Sequence, residues 1–136
     1  IQKVNRKSYP LTLFLSLSQQ NFKKNHQHFH IHLHLKMAFV PSGKKVSVKI
    51  ESAGYSGNLH TLAVWDSRNL QEAEYVIYNS DAFANPTYYT IGDEIASWDG
   101  SNFGTITRKI KLKDYYSVGA GNYNGVINYT VSLEDK

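Results

Sequence analysis

The feature that most constrains this chain is an alternation of apolar and polar side chains, repeated in short runs between clusters of turn-forming residues. Val46, Val48 and Ile50 alternate with lysine and serine, and the run 104–113 alternates isoleucine and leucine with threonine and lysine. A period of two is the pattern of a β-strand with one buried face. These runs therefore predict strands, and no amphipathic stretch of helical length interrupts them.

Roughly seven or eight such strands fit between residues 37 and 136, separated by turn signals at short intervals. The predicted fold class is all-β, an antiparallel two-layer β-sandwich with a jelly-roll or immunoglobulin-like topology. A parallel sheet is disfavoured because it would need crossover helices. We also expect a strand over 59–65 that contains His60, a helical turn over 70–74, and Arg108 as an inward-facing charge near a sheet edge.

Composition divides the chain at Met37, the only methionine. Residues 1–36 hold six lysines and arginines, no acidic residue and five of the six histidines, whereas residues 37–136 hold nine basic and eleven acidic residues. We therefore predict a basic, histidine-rich N-terminal extension over 1–36 and a β-sandwich domain over 37–136. The acidic excess of the larger segment argues against a surface that coats nucleic acid, so nucleic acid is not an expected partner.

Two interpretations of residues 1–36 stay open. As a leader or upstream-translated region, residues 1–18 would act as a signal and make the protein secreted, while a start at Met37 would make it cytoplasmic. As a strand-forming arm, the segment would use its alternating apolar residues over 11–17 and 29–35 to form a hairpin or to extend a sheet edge. No run approaches the roughly 20 apolar residues of a transmembrane helix, so membrane insertion is not predicted.

Histidine occupies every second position of the extension's second alternating run. This spacing places His28, His30, His32 and His34 on one face of a strand, and neutral imidazole is a good ligand for zinc, copper or nickel. The segment holds no carboxylate or thiol to complete a site, and the chain has no cysteine, which also excludes disulfides. The run is therefore either a metal-binding strand or a solvated strand face.

Several predicted loops combine aromatic side chains with carboxylates and amides. Sugar recognition uses this mixture, because an aromatic face stacks on the apolar patch of a pyranose ring while aspartate and asparagine hydrogen-bond to its hydroxyls. The candidate ligand-binding residues are Trp98, Asp99, Asn102, Tyr123, Asn124 and Asp66.

No cofactor is firmly predicted. Calcium in the loops is the one candidate, because it takes oxygen ligands, but no EF-hand spacing is present. The residues that offer such oxygens are Asp93, Glu94, Asp99 and Asn102.

The closing stretch 118–125 reads Val-Gly-Ala-Gly-Asn-Tyr-Asn-Gly and precedes a final predicted strand. In this respect it resembles small calcium-dependent, galactose-binding bacterial lectins, which end in a glycine- and asparagine-rich loop followed by the last strand of a jelly roll. The resemblance covers only this part of the chain and includes no complete ligand set. It implies a jelly-roll fold and a sugar ligand, which we carry forward as expectations.

Groups suited to catalysis are sparse. His60 is the only histidine after Met37, and neither a nucleophile elbow nor a dinucleotide-binding fingerprint is present. We therefore expect a binding module and not an enzyme, most simply a lectin-like module whose partners are glycans. The alternative is a structural or self-assembling coat, matrix or filament subunit that uses its N-terminal strands for β-augmentation, and either function is compatible with a homo-oligomer.

Overall fold

The computed structural model describes residues 7–17, 28–35, 40–79, 86–99, 104–113 and 118–136, the first two ranges by their backbone. These residues form nine strands. In chain order they are β1 (Lys7–Leu17), β2 (His28–Leu35), β3 (Lys44–Gly54), β4 (Ala63–Asp66), β5 (Gln71–Asn79), β6 (Tyr88–Tyr89), β7 (Glu94–Trp98), β8 (Gly104–Leu112) and β9 (Gly121–Asp135). The described ranges contain no helix, and so none long and apolar enough to cross a membrane.

All pairings between these strands are antiparallel, and they join the strands into one hydrogen-bonded sheet. Neighbours follow the order β2-β8-β5-β4-β9-β3-β7, while β1 pairs with β9 and β6 pairs with β5. The predicted all-β, antiparallel class is confirmed. The two-layer sandwich with a jelly-roll or immunoglobulin-like topology is not confirmed, because the hydrogen bonds describe a single connected sheet.

Strand β9 lies at the centre of this network and is paired along both edges. On one edge it pairs with β1, from Lys7 opposite Val131 to Leu17 opposite Gly121. On the other edge it pairs with β3 over 126–135, and then with β4 at Asn124. One long strand therefore supplies the partners for three others.

The core is built from the apolar side of the alternating runs. Ile50, Ile77, Ile95 and Ile127 come from four different strands and are each at most 1% exposed. Burying a side chain of this size stabilises the fold by about 1.5–3 kcal/mol. Because one cluster draws on strands from both ends of the sheet order, the sheet must curve around a shared core.

Three local predictions differ from the structure. Residues 59–62 precede β4 instead of forming its first half, because Tyr55 and Asn58 close a tight turn with reciprocal backbone hydrogen bonds of 2.9 and 2.8 Å. The region predicted as a helical turn begins β5. Arg108 does not lie at an edge, since β2 and β5 flank its strand, but its side chain points inward as expected and donates from Nε to the Ile95 carbonyl at 2.7 Å.

Strands β1 and β2 do not pair with each other, so the hairpin predicted for residues 1–36 is not formed by them. Each instead extends a different strand of the sheet: β1 pairs with β9 and β2 with β8. This pairing corresponds to the second form of the predicted strand-forming arm, in which the segment adds strands to the sheet. The division into an extension over 1–36 and a domain over 37–136 stays a prediction.

The stretch 118–125 was expected to precede the last strand, but its residues from Gly121 onward are the beginning of β9. Gly121 and Gly125 both belong to β9. At each position a neighbouring atom occupies the space that a side chain would need, which explains why the residue is glycine. A Cβ at Gly125 would lie 2.8 Å from Val64 Cγ1 and 2.9 Å from the Gly54 carbonyl oxygen, and at Gly121 it would meet the Asp66 carboxylate. These glycines therefore allow β9 to pack closely against β3 and β4.

Replacing Gly125 by alanine is expected to destabilise the protein by about 1–3 kcal/mol, the usual cost of overpacking a buried site. Chemical unfolding followed by circular dichroism measures the change. Gly119→Ala is the matched control, since there a Cβ would meet only the end of the Gln71 side chain, which can move aside. Equal stability of the two variants would contradict the close-approach argument.

Candidate functional site

The two aromatic residues of the predicted site are inside the protein. Trp98 is 3% exposed and donates from Nε1 to the Gly104 carbonyl at 3.0 Å. Tyr123 is 1% exposed, and its hydroxyl donates to the Gly119 carbonyl at 2.7 Å. Both rings pack in the interior, so neither presents an open face on which a sugar ring could stack.

Asp66 is also buried, and it organises the hairpin that joins β4 to β5. Its carboxylate accepts the Arg68 and Asn69 backbone N–H groups at 2.9 and 3.2 Å and the Asn69 side-chain amide at 2.7 Å. The Asn69 amide is the main reason that the pKa of Asp66 lies below its ordinary value. These bonds give Asp66 a turn-closing role, as is common for aspartate.

Of the remaining predicted contacts, the structure describes Asp99 and Asn124, which lie in different surroundings. Asp99 forms an ion pair with Lys136, with a carboxylate-to-ammonium distance of 3.0 Å. Asn124 is exposed on β9, opposite Trp65 of β4. Asn102 lies outside the described residues. Of the six, Asn124 alone is both described and open to solvent in the way that a ligand contact requires.

The histidines predicted as metal ligands lie on β2. In the backbone register, His28, His30, His32 and His34 are opposite Lys111, Lys109, Thr107 and Thr105 of β8. Elsewhere, among the residues whose side chains are described, no three histidine or acidic side chains are grouped as a metal site. Metal binding by the β2 histidines stays a prediction.

The sequence analysis did not predict a cavity of about 340 Å³ that opens at a break in the sheet. Strand β8 occupies one edge of β5, and both β4 and β6 pair with the other edge, one after the other. The pairing with β4 ends at Glu74 and that with β6 begins at Ile77, so that Tyr75 and Val76 border an interval between them. The cavity, called the β5 cavity below, lies there.

The walls of the β5 cavity are fixed by backbone hydrogen bonds. Tyr75 N–H donates to the Leu62 carbonyl at 3.0 Å, and Lys113 N–H donates to the Glu74 carbonyl at 2.9 Å. The turn on the other side is closed by Thr90 N–H, which donates to the Asp93 carboxylate at 2.8 Å. A ligand would therefore meet a largely preformed site.

The lining of the β5 cavity combines aromatic and apolar walls with a polar rim. Tyr88, 52% exposed, is the most open aromatic ring of the lining, and Tyr89 beside it is held by the Arg108 guanidinium, 5.2 Å from its ring centroid. Leu62 and Ile91 add partly buried apolar surface. The polar rim consists of His60, Thr61, Glu74, Thr90 and Lys113.

Tyr88 and Tyr89 were not among the predicted contacts, although the sequence carried a signal for them. Successive residues of a strand point to opposite sides, so two adjacent tyrosines place one ring towards the core and the other towards solvent. His60 was expected to pack within a strand, but it is exposed and lies on the cavity rim.

A second polar cluster lies on β3, β7 and β9, away from the β5 cavity. Glu94 accepts a hydrogen bond from the Ser47 hydroxyl at 2.5 Å and pairs with Lys45 at 2.8 Å. Burial raises the pKa of Glu94, but the bonds from Lys45 and Ser47 outweigh it and leave the pKa below its ordinary value. A general acid needs the opposite shift, so we assign Glu94 to sheet stability.

Glu134 repeats this arrangement on β9. It accepts the Ser132 hydroxyl at 2.7 Å and pairs with Lys49 at 3.2 Å, and the Ser132 bond is the main cause of its lowered pKa. Of these two carboxylates, Glu94 was a predicted calcium ligand, and in the structure it pairs with Lys45.

Comparison with known proteins finds no match: no protein-family model, curated protein or solved structure is significantly similar to the chain.

The stability that Glu94 contributes is expected to vanish in acid. Its folded-state pKa lies below the ordinary value of 4.5, so its contribution is present above that pH and is lost as the pH falls through the lowered pKa. Glu94→Gln should therefore be less stable than the wild type at pH 7, and the difference should shrink towards pH 3, measured by urea unfolding.

Glu74→Gln is the control, because Glu74 is exposed and forms no ion pair with any described residue. A stability gap between the wild type and Glu94→Gln that stays constant over this pH range would contradict the assignment.

Proposed function

We propose that the protein is a non-catalytic carbohydrate-binding module, lectin-like in its chemistry, that holds its ligand in the β5 cavity. The observation that carries the proposal is the combination of an open tyrosine ring with a polar rim around a preformed cavity of about 340 Å³. Cavities of roughly 300–1,000 Å³ are typical of small-ligand sites. The proposed ligand contacts replace those expected in the loops, since Trp98 and Tyr123 are buried.

The chemistry of the rim suits a sugar. A pyranose ring presents an apolar patch, which would stack on Tyr88, and a circle of hydroxyls that both donate and accept hydrogen bonds. Around the ring the cavity offers an acceptor in Glu74, a donor in Lys113 and mixed donors and acceptors in Thr61 and Thr90. This pattern of donors and acceptors supports the binding of a ligand with many hydroxyls.

We also propose that the curved sheet approximates a two-layer β-sandwich. Contacts between strands from opposite ends of the sheet order support this arrangement: Arg108 of β8 bonds to Ile95 of β7, and Trp98 of β7 bonds to Gly104 of β8. The shared apolar cluster between them would be the interior of the sandwich.

Tyr88→Ala is expected to weaken glycan binding by roughly fivefold, because an aromatic contact is worth about 1 kcal/mol beyond the area it buries. A glycan array, followed by calorimetry on the best ligand, measures the loss. Tyr88→Phe should retain binding if stacking dominates. Leu133→Ala, which removes an exposed apolar side chain from β9, is the control and should bind normally.

Running the array with and without EDTA tests the calcium candidate separately. Binding that disappears with EDTA and returns with calcium would support it, and binding that is indifferent to EDTA would exclude it. Silence on the array in both conditions would contradict the carbohydrate proposal, and wild-type affinity in Tyr88→Ala would remove the ligand from the β5 cavity.

The alternative function, a self-assembling coat, matrix or filament subunit, is favoured by a different observation. β1 pairs with β9 over all eleven of its residues, and β2 pairs with β8 over all eight. Strands that add to a sheet in this way can also be supplied by a neighbouring copy of the chain, which is β-augmentation. A homo-oligomer would follow from such an exchange.

Cysteine pairs distinguish strands supplied within one chain from strands supplied by a neighbour. Ser16 and Asn122 are direct register partners, and antiparallel partners lie within disulfide range. Because the chain has no cysteine, a Ser16→Cys, Asn122→Cys variant has no competing thiol. We expect an internal disulfide, seen as a monomer on a non-reducing gel.

Mixing the two single variants before oxidation supplies the opposite test. Cross-linked dimers containing one chain of each variant would show that β1 is exchanged between copies and would favour the assembly function. Absence of such dimers at high protein concentration would leave that function without support.

A further inference from the structure

The lysines on β8 and directly after it differ from the other lysines whose side chains are described. Lys109 and Lys111 of β8 and Lys113, the residue after its end, occupy alternate positions, so they share one face of the sheet. Within the described ranges none of them forms an ion pair. Ion pairs with carboxylates do hold four lysines elsewhere: Lys44, Lys45, Lys49 and Lys136. Among the lysines whose side chains are described, those without an ion pair therefore lie on β8 and directly after it.

This row of lysines is continuous with the β5 cavity. Lys113 is part of the cavity rim. The ammonium of Lys111 lies 5.2 Å from the ring centroid of Tyr78, and the Tyr78 ring lies 6.0 Å from that of Tyr88, which lines the cavity. A ligand seated against Tyr88 would thus reach the ammonium groups by following a surface of aromatic rings.

We infer that the ligand is an acidic sugar chain, bearing carboxylate or sulfate groups, that runs from the β5 cavity across Tyr78 to the lysines of β8. This inference rests on the proposed carbohydrate-binding function and adds the class of sugar. Charged groups of the ligand would meet Lys109 and Lys111, while a neutral part of a residue would stack on Tyr88. Charge complementarity of this kind gives specificity and speeds association.

The acidic residues near the cavity determine in which direction the bound sugar chain would run. Glu72 and Glu74 lie on the half of β5 that pairs with β4, opposite Trp65 and Ala63. They would repel an anion there, so the charged groups must lie towards β8.

A sugar is favoured over nucleic acid as the polyanion. The cavity rim carries both a basic residue, Lys113, and an acidic one, Glu74, which suits a ligand with many hydroxyls and widely spaced charges. A nucleic acid carries a phosphate on every nucleotide, and it would bring that density of charge against the carboxylates of β5.

The test compares three oligosaccharides of equal length, a galactan, a galacturonan and a sulfated galactan, by calorimetry with the full chain at low and high salt. We expect the acidic oligosaccharides to bind about tenfold more tightly at low salt, and the preference to shrink as salt screens the charges. Lys109→Gln, Lys111→Gln should lose the preference while still binding the neutral galactan through the cavity.

Lys44→Gln, Lys136→Gln is the matched control, since it removes the same charge from lysines that are already paired. It should keep the preference. Equal affinity for neutral and acidic oligosaccharides would overturn the inference while leaving the proposed function intact, whereas no binding of any sugar would overturn both. Tighter binding of single-stranded DNA than of either acidic sugar, lost in Lys109→Gln, Lys111→Gln, would replace the sugar by nucleic acid.

Discussion

The two-sided backbone pairing of β9 is the constraint on which the rest of the sheet depends. Buried backbone N–H and C=O groups must be hydrogen-bonded, and β9 meets this requirement with β1 on one edge and β3 and β4 on the other. The small residues at its beginning let β4 approach at Gly125, while its later residues contribute the buried Ile127 and Tyr129 to the core. Loss of this strand would remove the partner of three others.

The β5 cavity also results from the way in which the strands pair. Because β4 and β6 divide one edge of β5 between them, neither covers Tyr75 and Val76 completely. The gap is lined by side chains from segments that are far apart in the chain but fixed by short backbone bonds. The proposed binding site thus lies where a continuous sheet leaves one edge incomplete.

Sequence reasoning succeeded where alternation and burial agree. It identified Val46, Val48 and Ile50 as an inward-facing set, and it placed a strand at β8. It could not show that Gly125 is a strand residue and not a loop glycine. A glycine is required there because β3 and β4 approach closely, which only the tertiary structure shows. Nor could it see that Trp98 is buried, since a tryptophan next to turn residues suits a loop and a core equally well.

The position of β9 in the chain has a consequence for biosynthesis. Strands β1, β3 and β4 leave the ribosome before their shared partner exists, so each spends time with open edges that can pair wrongly with other chains. The sheet cannot close until residues 121–135 have been made. The edges that β1, β3 and β4 present to β9 therefore stay open until that strand has emerged, which lengthens the time in which they can pair wrongly.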